Sequence, residues 1–188
     1  MKRMKETPSQ TAGPYVHIGC LPTTAGIEGL YAQDPGSEAI NDPVGGTQIT
    51  IQGTIFDGAG APLTDAMVET WQADAAGLHA ASSGWGRRAC DTETGLWQLQ
   101  TVKPGPVSHP GGATMAPHIT LWLVARGINI GLHTRLYFDD EAEANAADPV
   151  LQQLGSRAKT LIARQVTPGR HHLDIYLQGP QETVFFDA

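Results

Sequence analysis

TQITIQGTIF, residues 47–56, changes character at every step. Ile49, Ile51, Gly53 and Ile55 fall on one side of an extended chain, and Thr50, Gln52 and Thr54 on the other. A period of two is that of a half-buried β-strand, and a helix would need 3.6. DGAGAP follows at 57–62, rich in the residues that turn a chain. Outward from this strand the same grammar repeats, with short β-like runs at 66–73, 95–102, 117–126, 133–138, 173–178 and 183–186 separated by glycine and proline. The expected fold is mainly β, a sandwich core.

DDEAEANAADP breaks the pattern. Acids at its start suit the positive end of a helix, and Pro149 should stop it. A second short helix is expected over 149–154. Residues 1–45 carry Gly, Pro, Thr and Ser with little periodicity, and read as an extended arm and linker packing on a partner chain. Residues 46–188 read as the β-sandwich domain.

Composition narrows the function classes. The chain has 188 residues, 40% hydrophobic and 16% charged, which suits a folded domain. No apolar run approaches the length of a membrane span. Net charge of −7 and a pI near 5.4 argue against nucleic acid as a partner. MKRMKETPSQ lacks the apolar core of a secretory signal, and Cys20 and Cys90 match neither a disulfide framework nor a zinc spacing. These features suggest a cytoplasmic protein.

APHITLWLVARG (116–127) holds the one suggestive constellation. On a strand, Ile119, Leu121, Leu123 and Ala125 face the core, while His118, Thr120, Trp122, Val124 and Arg126 share the other face. His-x-His on such a face would offer two imidazoles to one ion, but the second position is Thr120. A neutral hydroxyl is a poor ligand for iron or zinc. His109, His133, His171 and His172 have no carboxylate or cysteine at a ligand-like spacing, and are expected to be solvated. No Ser-His-Asp order, phosphate loop or nucleotide fingerprint is present.

Several phrases occur together in order: TPSQTAGPY, VETWQADAAG, GWGRRACDTETGLW, TVKPGP, APHITLWLVARGIN, TRLYFDDEAEAN and ETVFFDA. As a set they resemble the intradiol ring-cleavage dioxygenases across almost the whole chain. That resemblance implies a β-sandwich and a non-haem ferric site held by two tyrosines and two histidines. It also implies insertion of both atoms of O₂ into a catechol ring. Here the four ligand places read His79, Val107, His118 and Thr120, and an expected arginine is Met115. One ligand of four survives in type, so no catalytic residue and no metal is expected in this chain alone.

In two-chain members of the family, such an alpha chain pairs with a homologous iron-bearing beta chain in a higher oligomer. The resemblance therefore assigns Fe(III) to the beta partner. It assigns to Thr11, Gly13 and Pro14 a wall of the partner's pocket, and to Arg126 the carboxylate of a small aromatic substrate. Arg135 replaces a pocket-lining glutamine and is expected to cap the degenerate site. Eight residues of strand separate His118 from Arg126 by about 26 Å, so Arg126 serves a different pocket. The competing reading is a stand-alone β-sandwich that binds a small molecule or sugar without catalysis.

Overall fold

The computed structural model describes residues 11–37, 45–79 and 84–187. The first ten residues and 38–44 of the expected arm lie outside that description. The strands are β1 (Gln48–Phe56), β2 (Met67–Gln72), β3 (Trp85–Ala89), β4 (Leu96–Val102), β5 (Val107–Ser108), β6 (Thr114–Met115), β7 (His118–Val124), β8 (Leu132–Phe138), β9 (Ile162–Thr167), β10 (Arg170–His172) and β11 (Ile175–Tyr176). The helices are α1 (Pro14–Cys20), α2 (Ala142–Ala147) and α3 (Pro149–Leu154).

Two layers form. In one, β1 pairs antiparallel with β4 and parallel with β10, which turns back into β9. In the other, β3, β2, β7 and β8 run antiparallel in that order. A short parallel contact, Tyr137 with Ile162 and Phe138 with Ala163, joins the layers along one side, so the sheet is nearly closed. The inner faces meet in one core: Ile49, Ile51 and Ile55 from β1, Trp97 and Leu99 from β4, and Ile119, Leu121 and Leu123 from β7. The core faces read from sequence hold, since these residues are almost fully buried; on the other face of β7 His118 is buried too, and Arg126 lies in the turn beyond the strand.

Gly53 belongs to the core row for a steric reason. A Cβ there would lie 1.8 Å from the carbonyl oxygen of Leu173, so the backbones can approach this closely only without a side chain.

The helical segment differs in detail. Asp139–Glu141 form a 3₁₀ turn before α2, and Pro149 opens α3 after ending its predecessor. Proline lacks an amide hydrogen to donate, which costs nothing at a first helical position. Asp148 caps α3, accepting from the amides of Val150 and Leu151 at 2.8 and 2.9 Å. The arm, read from sequence as extended, holds a further helix: Gly13 caps α1 and Pro14 is its first residue. Later arm residues return to the sandwich: the Arg87 amide donates to the Gly36 carbonyl at 2.8 Å, and Arg88 donates to the carbonyls of Gly36 and Ser37.

Of the runs expected at 173–178 and 183–186, β11 keeps two residues and the last run makes only an isolated bridge from Phe186 to His133. Side chains take the place of a ladder there. The Thr54 amide donates to Asp174, and the Tyr176 amide donates to the Thr183 hydroxyl. Among the described residues, no helix is long and apolar enough to cross a membrane.

Candidate functional site

The half-site lies at the start of β7. His118 is buried, and its Nδ1 meets the carbonyl of Ala116 at 2.7 Å. A carbonyl only accepts, so Nδ1 carries the hydrogen and Nε2 holds the lone pair of the neutral ring. Burial lowers the His118 pKa below 6.5, and the charges of Arg135 and His79 push the same way. His79, exposed on the loop after β2, is thus near enough for its charge to be felt, and its ring stacks on Trp71 with centroids 5.8 Å apart.

The other positions do not supply ligands. Val107 stands opposite Met115 in the β5–β6 hairpin. Thr120 lies between Trp71 and Arg135 in strand register. Arg135 donates to the Tyr137 hydroxyl at 3.2 Å and to Met115 Sδ at 3.5 Å, and its guanidinium sits 5.6 Å from the centre of the Phe186 ring. Tyr137 packs 5.4 Å from the His118 ring, and burial pushes its phenol pKa up. Asp148 closes the floor by accepting from the Ala116 amide at 2.8 Å.

This arrangement does not fit ferric iron. A hard cation needs anionic oxygen donors. Here the nearby Tyr137 phenol is held in its neutral form, the Asp148 carboxylate is taken up by three backbone amides, and the Arg135 guanidinium adds a positive charge. Tyr137 and Asp148 were not singled out from sequence. Tyr137 could have been found from its place two residues beyond Arg135 on one strand face. Asp148 carried the cap signal of an acid before proline.

The second site forms at the far end of β7. The Gly127 amide donates to the Thr11 hydroxyl at 2.6 Å, which ties the arm to the strand end across 116 residues of sequence. Ala12, Gly13, His17, Asp65 and Arg126 line a cavity of about 200 Å³. Asp65 holds Arg126 through Nε at 3.2 Å, while the Arg126 side chain stays 76% exposed. Its two terminal amines have no partner among the described residues. Thr11, Gly13 and Arg126 are therefore gathered at one place, with Pro14 the next residue along, at the first position of α1.

A larger groove of about 530 Å³ runs under the arm, walled by Arg87 and Arg88. Those arginines are already committed, Arg87 to Glu69 at 2.6 Å and Arg88 to arm carbonyls. The groove is a seam of the fold. The remaining histidines divide. The His109 ring accepts from the Gly111 amide, and His172 meets Asp174 at 2.9 Å. His171 is buried, where solvation was expected, because β10 turns its side chain inward.

A family model described as Dioxygenase matches residues 26–174. The alpha chain of protocatechuate 3,4-dioxygenase from Pseudomonas putida is 46% identical over 98% of this chain and 97% of its own length. The chain belongs to the intradiol ring-cleavage dioxygenase family. Within it, this is an alpha-type subunit of an oxidoreductase. A beta chain of protocatechuate 3,4-dioxygenase, from Burkholderia cepacia, is 32% identical over 73% of this chain and 67% of its own length. Alpha-type and beta-type intradiol dioxygenase chains are thus related by descent. The fold agrees: 3-chlorocatechol 1,2-dioxygenase from Rhodococcus opacus 1CP superposes with a TM-score of 0.60, covering 78% of this chain and 68% of that one at 21% identity.

Proposed function

We propose that this chain is the non-ligating alpha subunit of a protocatechuate 3,4-dioxygenase. Paired with a homologous beta chain that carries Fe(III), it completes the pocket where protocatechuate is cleaved with O₂ to 3-carboxy-cis,cis-muconate. The carrying observation is the gathering of Thr11, Gly13 and Arg126 around one small cavity, at the opposite end of β7 from the degenerate half-site. A pocket open to a partner needs such an exposed, oriented group, and a planar guanidinium can donate two parallel hydrogen bonds to a carboxylate. Asp65 occupies only Nε and leaves the terminal fork for the substrate. Thr11, Gly13 and Pro14 would form the wall beside it.

The ferric ion supplies the activation of ring and O₂, and the beta chain is its place in this reading. His79, Val107, His118 and Thr120 offer no tyrosinate, and Arg135 opposes a cation beside them. We place the complex in the cytoplasm, a reading supported by the free thiols of Cys20 and Cys90.

The experiment is iron content and ring-cleavage activity of the co-expressed, co-purified pair. One iron per alpha–beta pair with activity supports the reading. Two irons would return a metal to this chain, and failure of the chains to associate would remove the shared pocket.

A further inference from the structure

Away from both sites, the end of β8 meets β10 in a cluster that neither reading uses. Asp139, Asp140 and His171 each offer one ligand-type atom, and these atoms all lie within 4.8 Å of one another. His171 is 1% exposed, and neither ring nitrogen has a hydrogen-bond partner among the described residues. A buried imidazole left in this state loses the hydration of its nitrogens without replacement. The ring is held edge-on to Phe138, with centroids 5.0 Å apart and planes at 84°. Phe138 immediately precedes the two aspartates, so one packing contact fixes the ring against the segment that carries them.

We propose that Asp139, Asp140 and His171 form a divalent-cation site, suited to Zn²⁺ or an ion of similar ligand preference, that clips the end of β8 to β10. One imidazole with two carboxylates is a donor set that zinc accepts, with water completing the shell. Each carboxylate keeps an oxygen for the ion. Asp139 gives only Oδ1 to the Gln165 amide at 3.0 Å, and Asp140 gives only Oδ2 to Lys103 at 2.9 Å.

Lys103 is the competing cation. It also reaches Glu141, at 2.6 Å. Asp140 and Glu141 therefore share one ammonium, and with Asp139 alongside the cluster carries an excess of negative charge that a divalent ion would neutralise. A tetrahedral zinc site places its donors about 3.4 Å apart, so the aspartates must close in on the ring by rotation. Both aspartates are exposed and can do so. The site neighbours neither His118 nor Arg126 in sequence or strand register, and its role is to fasten the two layers where they join.

The test is calorimetric titration with ZnCl₂ of the full-length chain, in the assembly in which it purifies and with any iron site already loaded. One saturable site with a Kd of about 10 μM or below is expected, with a rise in the thermal midpoint on binding. Asp139→Asn, a surface change that leaves the fold intact, should weaken that site by about tenfold or more. His171→Gln should abolish it, and His79→Ala should leave it unchanged. Absence of saturable binding below about 1 mM, or a site that Asp139→Asn does not alter, would overturn the proposal.

Discussion

Arg126 carries the most specific chemistry of any single residue, and its substitution separates binding from folding. It is exposed and, among the described residues, bonded only to Asp65, so Arg126→Ala should leave the folding free energy within about 0.5 kcal/mol of the parent. The loss of a charge-assisted contact should instead lower kcat/KM for a carboxylated catechol by about 1.5–3 kcal/mol relative to unsubstituted catechol. Steady-state kinetics on both substrates decide it, and equal losses would remove Arg126 from the carboxylate. His118 and His171 make the opposite kind of statement, about stability. Burial lowers both pKa values below 6.5, so near and below that pH the unfolded chain binds protons that the folded chain refuses. Stability must then rise with pH through this window and fall as pH drops from 6.5 toward the lowered folded values. Thermal melts between pH 7.5 and about 5 should show this slope, and His118→Gln should reduce it.

Helix α3 shows how much one cap can hold. Asp148 accepts from two amides of its own helix and from the amide of Ala116, all while fully buried. Asp148→Ala would remove the cap, worth about 0.5–2 kcal/mol, and strand a buried amide, worth about 1–3 more. Urea denaturation should therefore find a loss of about 1.5–5 kcal/mol, and a change below about 1 would mean that water replaces the carboxylate. The elements also mark what sequence could reveal. Strands β1 and β7 were legible because one face is core and the other is not, which writes a period of two into the chain. Strand β9 was missed because four of its six residues are exposed and no apolar alternation survives. Helix α1 was missed because Gly13-Pro14 reads equally well as a turn. The degenerate ligand positions were legible only against the family phrases. The enclosure by Tyr137 and Asp148 comes from register between β7 and β8 and from a helix cap, neither of which the half-site's own residues announce.

At the scale of the molecule, the proposed function separates two places in one fold: the half-site at the start of β7 and the cavity beside Arg126. The sandwich holds β7 as a rod with buried His118 at one end and the cavity lined by Ala12, Gly13, His17, Asp65 and Arg126 beyond the other. The arm supplies cavity wall but little of the buried core, so function and stability should separate when the arm is cut. Deleting residues 1–17 removes Thr11, Ala12, Gly13 and His17, and with them most of the cavity wall. It spares the Gly36 and Ser37 carbonyls that bind Arg88 and the whole of the buried core. Ala12 is the one buried apolar residue among those lost that the structure describes, so the cost in stability should stay near 1 kcal/mol. Co-expressed with its beta partner, the truncated chain should still assemble and leave the iron content unchanged. Ring cleavage of protocatechuate should fall by at least about tenfold, because the pocket loses a wall and Arg126 loses its neighbours. Iron analysis, size-exclusion chromatography and oxygen uptake on one preparation distinguish the outcomes. Undiminished turnover in an intact complex would take the arm out of the pocket, and dissociation of the pair would make it a clasp between chains.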